Sequence, residues 1–286
     1  MASTSFAQQT PLYSMYMFNE FAYNPAVAGK NDYYTAQINN RYQFVGIKNA
    51  PVTATLTLTG KHSSLPMGWG GLIYNDSQGA FSKFGVYGAY AYHISLPRIS
   101  KLSFGFNVGL VKYDIDMTKI HFLDDETNLT ESMYTSIRPD ATFGMYFDTQ
   151  HYFIGASLDQ LFNNKIEVYN DTLAVDNTFN RFKSHLNTMA GARFNIAKQV
   201  KSETSVVARK VYAAPWQIEV SECLTYANTL WGGLSYRTED AVVLFLGYTY
   251  RQLLSFGYSY DITYSALKQK SRGAHEVFLS IKFNKK

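Results

Sequence analysis

Side chains that could carry out chemistry are scattered along this sequence of 286 residues. Its six histidines lie at positions 62, 93, 121, 151, 185 and 275, and none belongs to a metal-binding H-E-x-x-H motif. His275 and Glu276 are adjacent, but neighbouring residues of a strand point to opposite faces and form no dyad. No G-x-S-x-G elbow, P-loop or paired-glycine dinucleotide fingerprint occurs. We therefore predict no enzyme, no cofactor and no metal site. A serine and a histidine on neighbouring strands stay open as an alternative, because such sites are geometric.

An acidic group and one cysteine are the remaining chemical features. The acidic group consists of Asp114, Asp116, Asp124, Asp125 and Glu126. Clustered carboxylates can bind Ca²⁺, but this spacing differs from the EF-hand pattern, so we favour a solvated loop and leave calcium binding open. Cys223 has no second cysteine to pair with, and we expect a small packed side chain. Lys and Arg are dispersed and the net charge is only +4, which gives no support for nucleic-acid binding.

Alternating residue types indicate the elements that would have to position any site. The pattern is visible in residues 241–262, where Leu244 and Leu246 belong to one set of alternate positions and Gly247 and Thr249 to the other. Successive side chains of a strand point to opposite faces. This stretch therefore predicts a hairpin with one apolar face and one small or polar face.

The same unit recurs along the chain, and it is most regular in residues 52–59. Leu56 and Leu58 lie on one face there, and Thr57 and Thr59 lie on the other. If the leucine face meets lipid, a charge at Leu56 should be harmful, whereas a charge at Thr57 should be milder.

Composition indicates a membrane protein built from such strands. Aromatic residues make up 16% of the chain, yet the mean hydropathy is −0.19. This combination arises when half of every strand faces lipid and half faces water. No apolar run approaches the roughly 18 residues that a spanning helix needs. We predict an all-β protein, a transmembrane antiparallel β-barrel of about 14 strands, with interface anchors at Trp69, Trp216 and Trp231.

The lengths of the connections give the barrel an orientation. Outer-membrane barrels have short periplasmic turns and longer extracellular loops. The longest connections follow odd-numbered predicted strands, and the tight ones follow even-numbered strands. With both termini periplasmic, the predicted outer connections are residues 46–51, 114–139, 159–184 and 263–273.

The amino-terminal segment does not follow the strand pattern. Residues 8–31 are rich in aromatic residues and Met, and Asn24-Pro25 interrupts any regular element. The segment is too apolar for a free tail, so we expect it to pack on or inside the barrel of residues 32–286. Ser5-Phe6-Ala7 resembles the end of a signal peptide, and we interpret residues 1–7 as the remnant of an export signal.

Three stretches together resemble the PorP/SprF family of type IX secretion system membrane proteins. The first is YMFNEFAYNPAVAG at residues 16–29, the second RYQFVGIKNAP at residues 41–51, and the third SYDITYSALKQKSRGAHEVFLSIKF at residues 259–283. Phe44 stands where the family usually has Trp, and Glu20 where it commonly has Pro. The motif positions that we single out are Tyr16, Met17, Phe18, Asn19, Asn24, Pro25, Gly29, Tyr260, Asp261, His275 and Glu276.

The resemblance implies an outer-membrane protein of a Bacteroidetes-type bacterium. Relatives help type IX secretion to deliver and hold large secreted adhesins, including those used in gliding. The implied function is non-enzymatic retention of an adhesin through the adhesin's C-terminal domain. The implied partners are that domain, outer-membrane lipid and, as a further alternative, other secretion or gliding subunits. A passive pore or small-molecule transporter is the competing function.

Two of the predicted outer loops overlap the family motifs, and they supply the candidate binding residues. Those candidates are Gly46, Ile47, Lys48, Asn49, Ala50, Pro51, Leu267 and Gly273. Outer loops of barrels usually vary freely, so segments that match a family pattern there indicate a docking surface. The alternative is that Gly46 and Pro51 only shape a tight turn.

Overall fold

The computed structural model of the protein describes residues 13–119, 133–164, 183–211, 214–265, 268 and 270–283. Fourteen antiparallel strands form a closed barrel, which confirms the predicted fold class. In chain order the strands are β1 (Tyr34–Tyr42), β2 (Val52–Lys61), β3 (Met67–Gln78), β4 (Phe81–Leu96), β5 (Ser100–Asp116), β6 (Met133–Asp148), β7 (Tyr152–Asp159), β8 (His185–Ala197), β9 (Val200–Val211), β10 (Gln217–Tyr226), β11 (Leu230–Arg237), β12 (Ala241–Tyr250), β13 (Leu254–Thr263) and β14 (Ala274–Phe283). Short 3₁₀ helices span Tyr16–Phe18, Glu20–Ala22, Pro25–Val27 and Met117–Lys119.

Each strand pairs with its neighbours in sequence, and β1 closes the barrel against β14, with Tyr34 opposite Phe283. We call the end that carries Tyr34 and Phe283 the turn end, and the opposite end the loop end. The turn-end connections, such as residues 97–99 and 198–199, are short, whereas the connections that contain residues 117–132 and 160–184 lie at the loop end. Closure leaves no unpaired sheet edge, which is the condition for strands to cross a bilayer.

The two faces of the wall follow the predicted alternation. Leu56 is 43% exposed on the outer face, while Thr57 is 1% exposed on the lumen side. Trp69 and Trp216 also lie on the outer face, as expected for interface anchors. Trp231 contradicts that prediction. Its side chain is buried in the lumen, because Gly247 and Gly257 on the neighbouring strands leave room for the indole.

Several strand ends differ from the sequence prediction. The ladder between β5 and β6 continues to Asp116 opposite Met133, so the predicted loop of residues 114–139 is shorter than expected. Asp114 and Asp116 therefore belong to a strand. The other three residues of the acidic group, at positions 124–126, lie outside the described residues. Strands of 16 or 17 residues exceed the roughly 10 needed to cross the bilayer, so β4, β5 and β6 extend beyond it.

Residues 13–30 lie inside the lumen, and we call them the plug. The plug contacts every one of the fourteen strands. One contact residue from each strand, in order from β1 to β14, is Asn39, Thr57, Gly68, His93, Gly105, Tyr146, Ser157, Arg193, Ser205, Ser221, Arg237, Phe245, Asp261 and Glu276. The predicted remnant of an export signal, residues 1–7, lies outside the described residues. No helix in the described ranges is long and apolar enough to cross a membrane.

Glycines on the lumen face make room for the plug backbone. A methyl group at Gly68 would lie 1.9 Å from the carbonyl oxygen of Ala28, and one at Gly105 would lie 2.2 Å from the amide nitrogen of Ala26. Any larger side chain at these two positions would displace the plug. Gly68 and Gly105 therefore allow the close approach of the plug backbone.

Candidate functional site: the plugged lumen and its loop-end surface

A buried cluster of charges joins the start of the plug to the loop end of the barrel. We call it the loop-side ion cluster, and its members are Ser14, Arg41, Glu219, Arg237, Asp261 and Glu276. The two guanidinium groups and three carboxylates are at most 2% exposed. Buried charges are tolerated only when they are paired and hydrogen-bonded.

The pairs of the loop-side ion cluster follow from strand register. Arg41 lies directly opposite Glu276 in the β1–β14 ladder, and Glu219 lies opposite Arg237 in the β10–β11 ladder. The Nη atoms of Arg41 are 3.3 Å from a Glu276 oxygen and 2.7 Å from an Asp261 oxygen. Arg237 Nε is 2.9 Å from Glu219. Cross-strand neighbours on one face thus supply opposite charges.

Ser14 connects the plug to this cluster. Its backbone N–H donates to Glu276 Oε2 at 2.6 Å, and its hydroxyl donates to Asp261 at 2.9 Å. Both arginines donate to the same hydroxyl, Arg41 at 2.6 Å and Arg237 at 3.0 Å. One serine therefore satisfies two strand carboxylates and two strand guanidinium groups, so the plug completes the cluster.

The family-motif residues at the start of the plug all bind the barrel wall. Tyr16 hydrogen-bonds Ser205 and Ser221 at 2.8 and 3.0 Å. Asn19 donates to Asn39 at 2.9 Å and accepts from Thr57 at 3.2 Å. Thr57 is therefore part of the plug interface, and a charge there would meet the plug. That Thr57→Arg is milder than Leu56→Arg stays a prediction.

The aromatic and methionine side chains of the same motif fill the centre of the lumen. The Phe18 ring lies 4.0 Å from that of Trp231 and 5.6 Å from that of Phe278, measured between centroids. Met17 packs against the same hydrophobic cluster. Such aromatic contacts contribute about 0.5–1.5 kcal/mol each beyond area burial.

Asn24, Pro25 and Gly29 shape the second half of the plug. Asn24 caps the Pro25–Val27 helix, since its side-chain oxygen accepts the Ala26 N–H at 3.0 Å, and its amide donates to the Met145 carbonyl at 2.9 Å. Proline in the first position suits a helix start. Gly29 has φ of +68° and lies against Gly68, a conformation and an approach that other residues rarely accept.

A second charged group anchors the plug near the turn end. We call Glu20, Lys30, Asp148, Arg193 and Glu203 the turn-side ion cluster. Glu20 forms an ion pair with Lys30, and Arg193 lies 2.9 Å from Asp148 and 2.8 Å from Glu203. Burial alone would raise the pKa of the Glu20 carboxyl, but Lys30 and Arg193 outweigh burial and lower that pKa below its ordinary value.

The turn-side ion cluster lines a cavity of about 660 Å³. Plug residues Phe18 and Phe21, together with Trp231 and Phe278 of the wall, supply its apolar surface. Cys223 also lines the cavity and is 4% exposed, which agrees with the expected packed side chain. The lumen is thus occupied by the plug toward the loop end and hollow toward the turn end.

The two predicted binding loops meet at the loop end. Val45 N–H donates to the Gly273 carbonyl at 2.9 Å, and Arg272 N–H donates to the Val45 carbonyl at 2.7 Å. The backbone of Gly46 has φ of +99° and that of Gly273 has φ of +88°. These bonds join residues 43–51 and 271–273 into one surface, which we call the loop-end surface.

The candidate residues contribute to this surface to different degrees. Gly46, Lys48 and Asn49 are exposed, and Ile47, Ala50 and Pro51 are half-buried. Asn49 accepts a hydrogen bond from the N–H of Gly79 at 3.0 Å, and Pro51 accepts one from Gln43 at 2.9 Å. Leu267 lies outside the described residues.

His275 and Tyr260 face away from the lumen. The His275 ring lies 5.0 Å from that of Tyr260 and hydrogen-bonds the hydroxyl of Tyr258. Glu276 points inward to the loop-side ion cluster, so this adjacent pair faces opposite sides as predicted. The described ranges contain no group of three or more His, Cys, Asp or Glu residues placed to hold a metal ion.

Sequence reasoning did not identify Ser14, Glu219 or Arg237 as site residues. Glu219 and Arg237 are isolated charged residues on the inward faces of the neighbouring strands β10 and β11. Ser14 precedes the first family motif. The sequence did contain a signal for this pair: an Arg and a Glu occupy inward positions of two predicted neighbouring strands. A charge on a lumen face needs a partner of opposite sign, so the two could have been paired.

Comparisons with known proteins identify the family. A family model described as type IX secretion system membrane protein PorP/SprF matches residues 5–281. Comparison with curated proteins gives no match. Among solved structures, the toluene transporter TbuX of Ralstonia pickettii is similar with a TM-score of 0.54 and 9% identity, over 91% of each chain. A FadL homologue of Pseudomonas aeruginosa has a TM-score of 0.48 and 10% identity, over 92% of this chain and 93% of that one.

At such low identity the structural likeness shows only that the fold is shared with membrane barrels. The family match covers nearly the whole chain, and it includes the plug, the loop-side ion cluster and the loop-end surface. The protein is a membrane β-barrel that belongs to the PorP/SprF family of type IX secretion system membrane proteins.

Proposed function

We propose that this barrel retains a secreted adhesin at the cell surface by binding the adhesin's C-terminal domain at the loop-end surface. The observation that carries the proposal is the pair of hydrogen bonds between Val45 and the Arg272–Gly273 backbone. They hold two connections of distant sequence, both of which overlap the family motifs, in one fixed arrangement. Fixed surfaces bind with less loss of conformational entropy than mobile ones.

The plugged lumen supports a binding role over conduction. Residues 13–30 contact all fourteen strands, and the loop-side ion cluster holds their start in place. A pore would have to release these contacts first. We further propose that the barrel lies in the outer membrane of a Bacteroidetes-type bacterium, that lipid surrounds its outer face, and that other secretion or gliding subunits are further partners.

The test replaces residues 47–50 with a Gly-Ser linker of equal length and measures how much adhesin co-purifies with the barrel. Retention should be lost while the variant still assembles as a heat-modifiable barrel. The matched control replaces Arg251 and Gln252 at the turn end with Gly-Ser, where φ values of +48° and +57° already suit glycine. Full co-purification with the loop-end variant would show that this surface is not the docking site.

A passive pore or small-molecule transporter is the second candidate, and the cavity of about 660 Å³ at the turn end is the observation that favours it. The two candidates differ in conductance. In planar bilayers a plugged barrel that only binds adhesin should show no steady ion current, whereas a pore should conduct ions steadily. Steady conductance of the unmodified protein would favour the pore.

A further inference from the structure

A second, smaller cavity lies on the loop side of the plug, next to β5, β6 and β7, and has a volume of about 70 Å³. That is room for one ion and one or two waters. Tyr13 and Tyr23 of the plug form part of its lining, and Asp140 and Asp159 of the wall form another part.

The two carboxylates face this cavity without a cation. Asp140 is 4% exposed and, among the described residues, accepts hydrogen bonds from the Tyr87 hydroxyl at 2.7 Å and the Ala141 N–H at 2.8 Å. Asp159 accepts from the Asn187 amide at 2.7 Å. Within the described ranges neither takes part in an ion pair, and Arg138, two residues before Asp140 on the same strand, reaches neither. Asp140 is buried and Asp159 is half-buried, and a carboxylate charge withdrawn from water without a counter-charge is costly.

Two amide side chains of the same lining have oxygens without a partner. Asn107 and Gln160 are 6% and 9% exposed, and the side-chain oxygen of each accepts no hydrogen bond from the part of the chain that the structure describes. Buried polar atoms are nearly always paired. The cavity therefore combines carboxylates with unsatisfied oxygen acceptors, a set of groups that a bound cation would satisfy together.

We propose that this cavity binds a divalent cation of the Ca²⁺ class. Carboxylate, amide and hydroxyl oxygens are the ligands that Ca²⁺ prefers, and Thr142 adds a hydroxyl to the four side chains already named. The site differs from the acidic group at positions 114–126, because it lies inside the barrel between the plug and the wall. Tyr13 and Tyr23 of the plug line the same cavity, so an ion held there by the wall stabilises the seated plug.

The test uses the full-length protein in detergent with Tb³⁺, an oxygen-preferring ion that emits when tyrosine near it absorbs light. Tyr13, Tyr23, Tyr74 and Tyr87 line the cavity and would sensitise the ion. The wild type should give saturable emission that Ca²⁺ displaces, and Ca²⁺ should raise the thermal unfolding temperature. The double variant Asp140→Asn/Asp159→Asn should lose roughly tenfold or more in affinity, because ligand charge sets Ca²⁺ affinity.

Asp114→Asn is the matched control, since Asp114 lies at the loop end of β5 and pairs with Lys112 outside the cavity. It should bind Tb³⁺ as the wild type does. Gln160→Met keeps both carboxylates and should weaken binding even if the double variant fails to fold. Absence of saturable emission in the wild type, or equal affinity in the wild type and Gln160→Met, would overturn the proposal.

Discussion

The two ion clusters that hold the plug use the same chemistry at different burial. The loop-side ion cluster is closed to solvent, with Arg237 and Glu219 both at 0% side-chain exposure. In the turn-side ion cluster the Arg193 side chain is 29% exposed and lines an open cavity. Removing one partner of a buried pair leaves an uncompensated charge, whereas a solvated pair exchanges its partner for water.

The difference indicates which end of the plug is fixed. The loop-side contacts can be lost only together, because one Ser14 hydroxyl bonds two arginines and one carboxylate. The turn-side contacts can be lost one at a time. We expect the plug to loosen first from the turn end, where the cavity already admits solvent.

The largest expected effect comes from breaking the loop-side ion cluster. Arg41→Gln leaves Asp261 and Glu276 short of a positive charge, and we expect a loss of about 3–5 kcal/mol in the free energy of unfolding. Urea titration of the protein in lipid vesicles measures this loss. A loss below about 1 kcal/mol would show that the cluster behaves like a solvated pair.

The centre of the plug interface gives the next test, because it lies between the two clusters. Thr57→Arg removes the hydrogen bond to Asn19 and overfills the lumen, which typically costs about 1–3 kcal/mol, and it should expose the plug to protease. Leu56→Arg on the lipid face should cost about 2–4 kcal/mol if it reaches the bilayer midplane, with the plug still protected. Equal protease sensitivity of the two variants would contradict the assignment of faces.

The turn-side ion cluster should be far more tolerant. Arg193→Gln removes ion pairs with Glu20, Asp148 and Glu203. Because the Arg193 side chain is partly solvated and Glu20 keeps Lys30 as a partner, we expect a loss of about 1 kcal/mol or less in the free energy of unfolding. Added salt should shrink that loss in a urea titration. If Arg193→Gln lowered the free energy of unfolding as much as Arg41→Gln does, and salt did not change that loss, the two clusters would not differ in the way proposed.

The smallest expected effect is the pH dependence that Glu20 gives to the free energy of unfolding. Because the pKa of Glu20 is lower in the folded protein than in the unfolded chain, ionised Glu20 stabilises the fold. This contribution is complete above the unfolded pKa of about 4.3 and is lost as the pH falls through the lower folded pKa. Glu20→Gln should therefore reduce the stability near neutral pH, and the gap to wild type should close in acid. A gap that is constant with pH would contradict this role.

The sequence alone determined the wall of the barrel. Alternation is a local property, since each residue's face depends only on its position along its own strand. It therefore placed Leu56 outside and Thr57 inside without knowledge of any partner. Connection lengths are local as well, and they distinguished the turn end from the loop end. The apolar, irregular run that includes Tyr16 and Phe18 indicated a docked segment for the same reason.

Only the tertiary structure decided what the inward residues do. Arg41 and Glu276 are neighbours because β1 closes on β14, a contact that joins the two ends of the barrel sequence. Ser14 binds both because the plug folds back through the lumen. The Trp231 ring packs on Phe18 of the plug because Gly247 and Gly257 leave space for it. These positions depend on strand register and packing between distant segments, which a period of two along the chain does not encode.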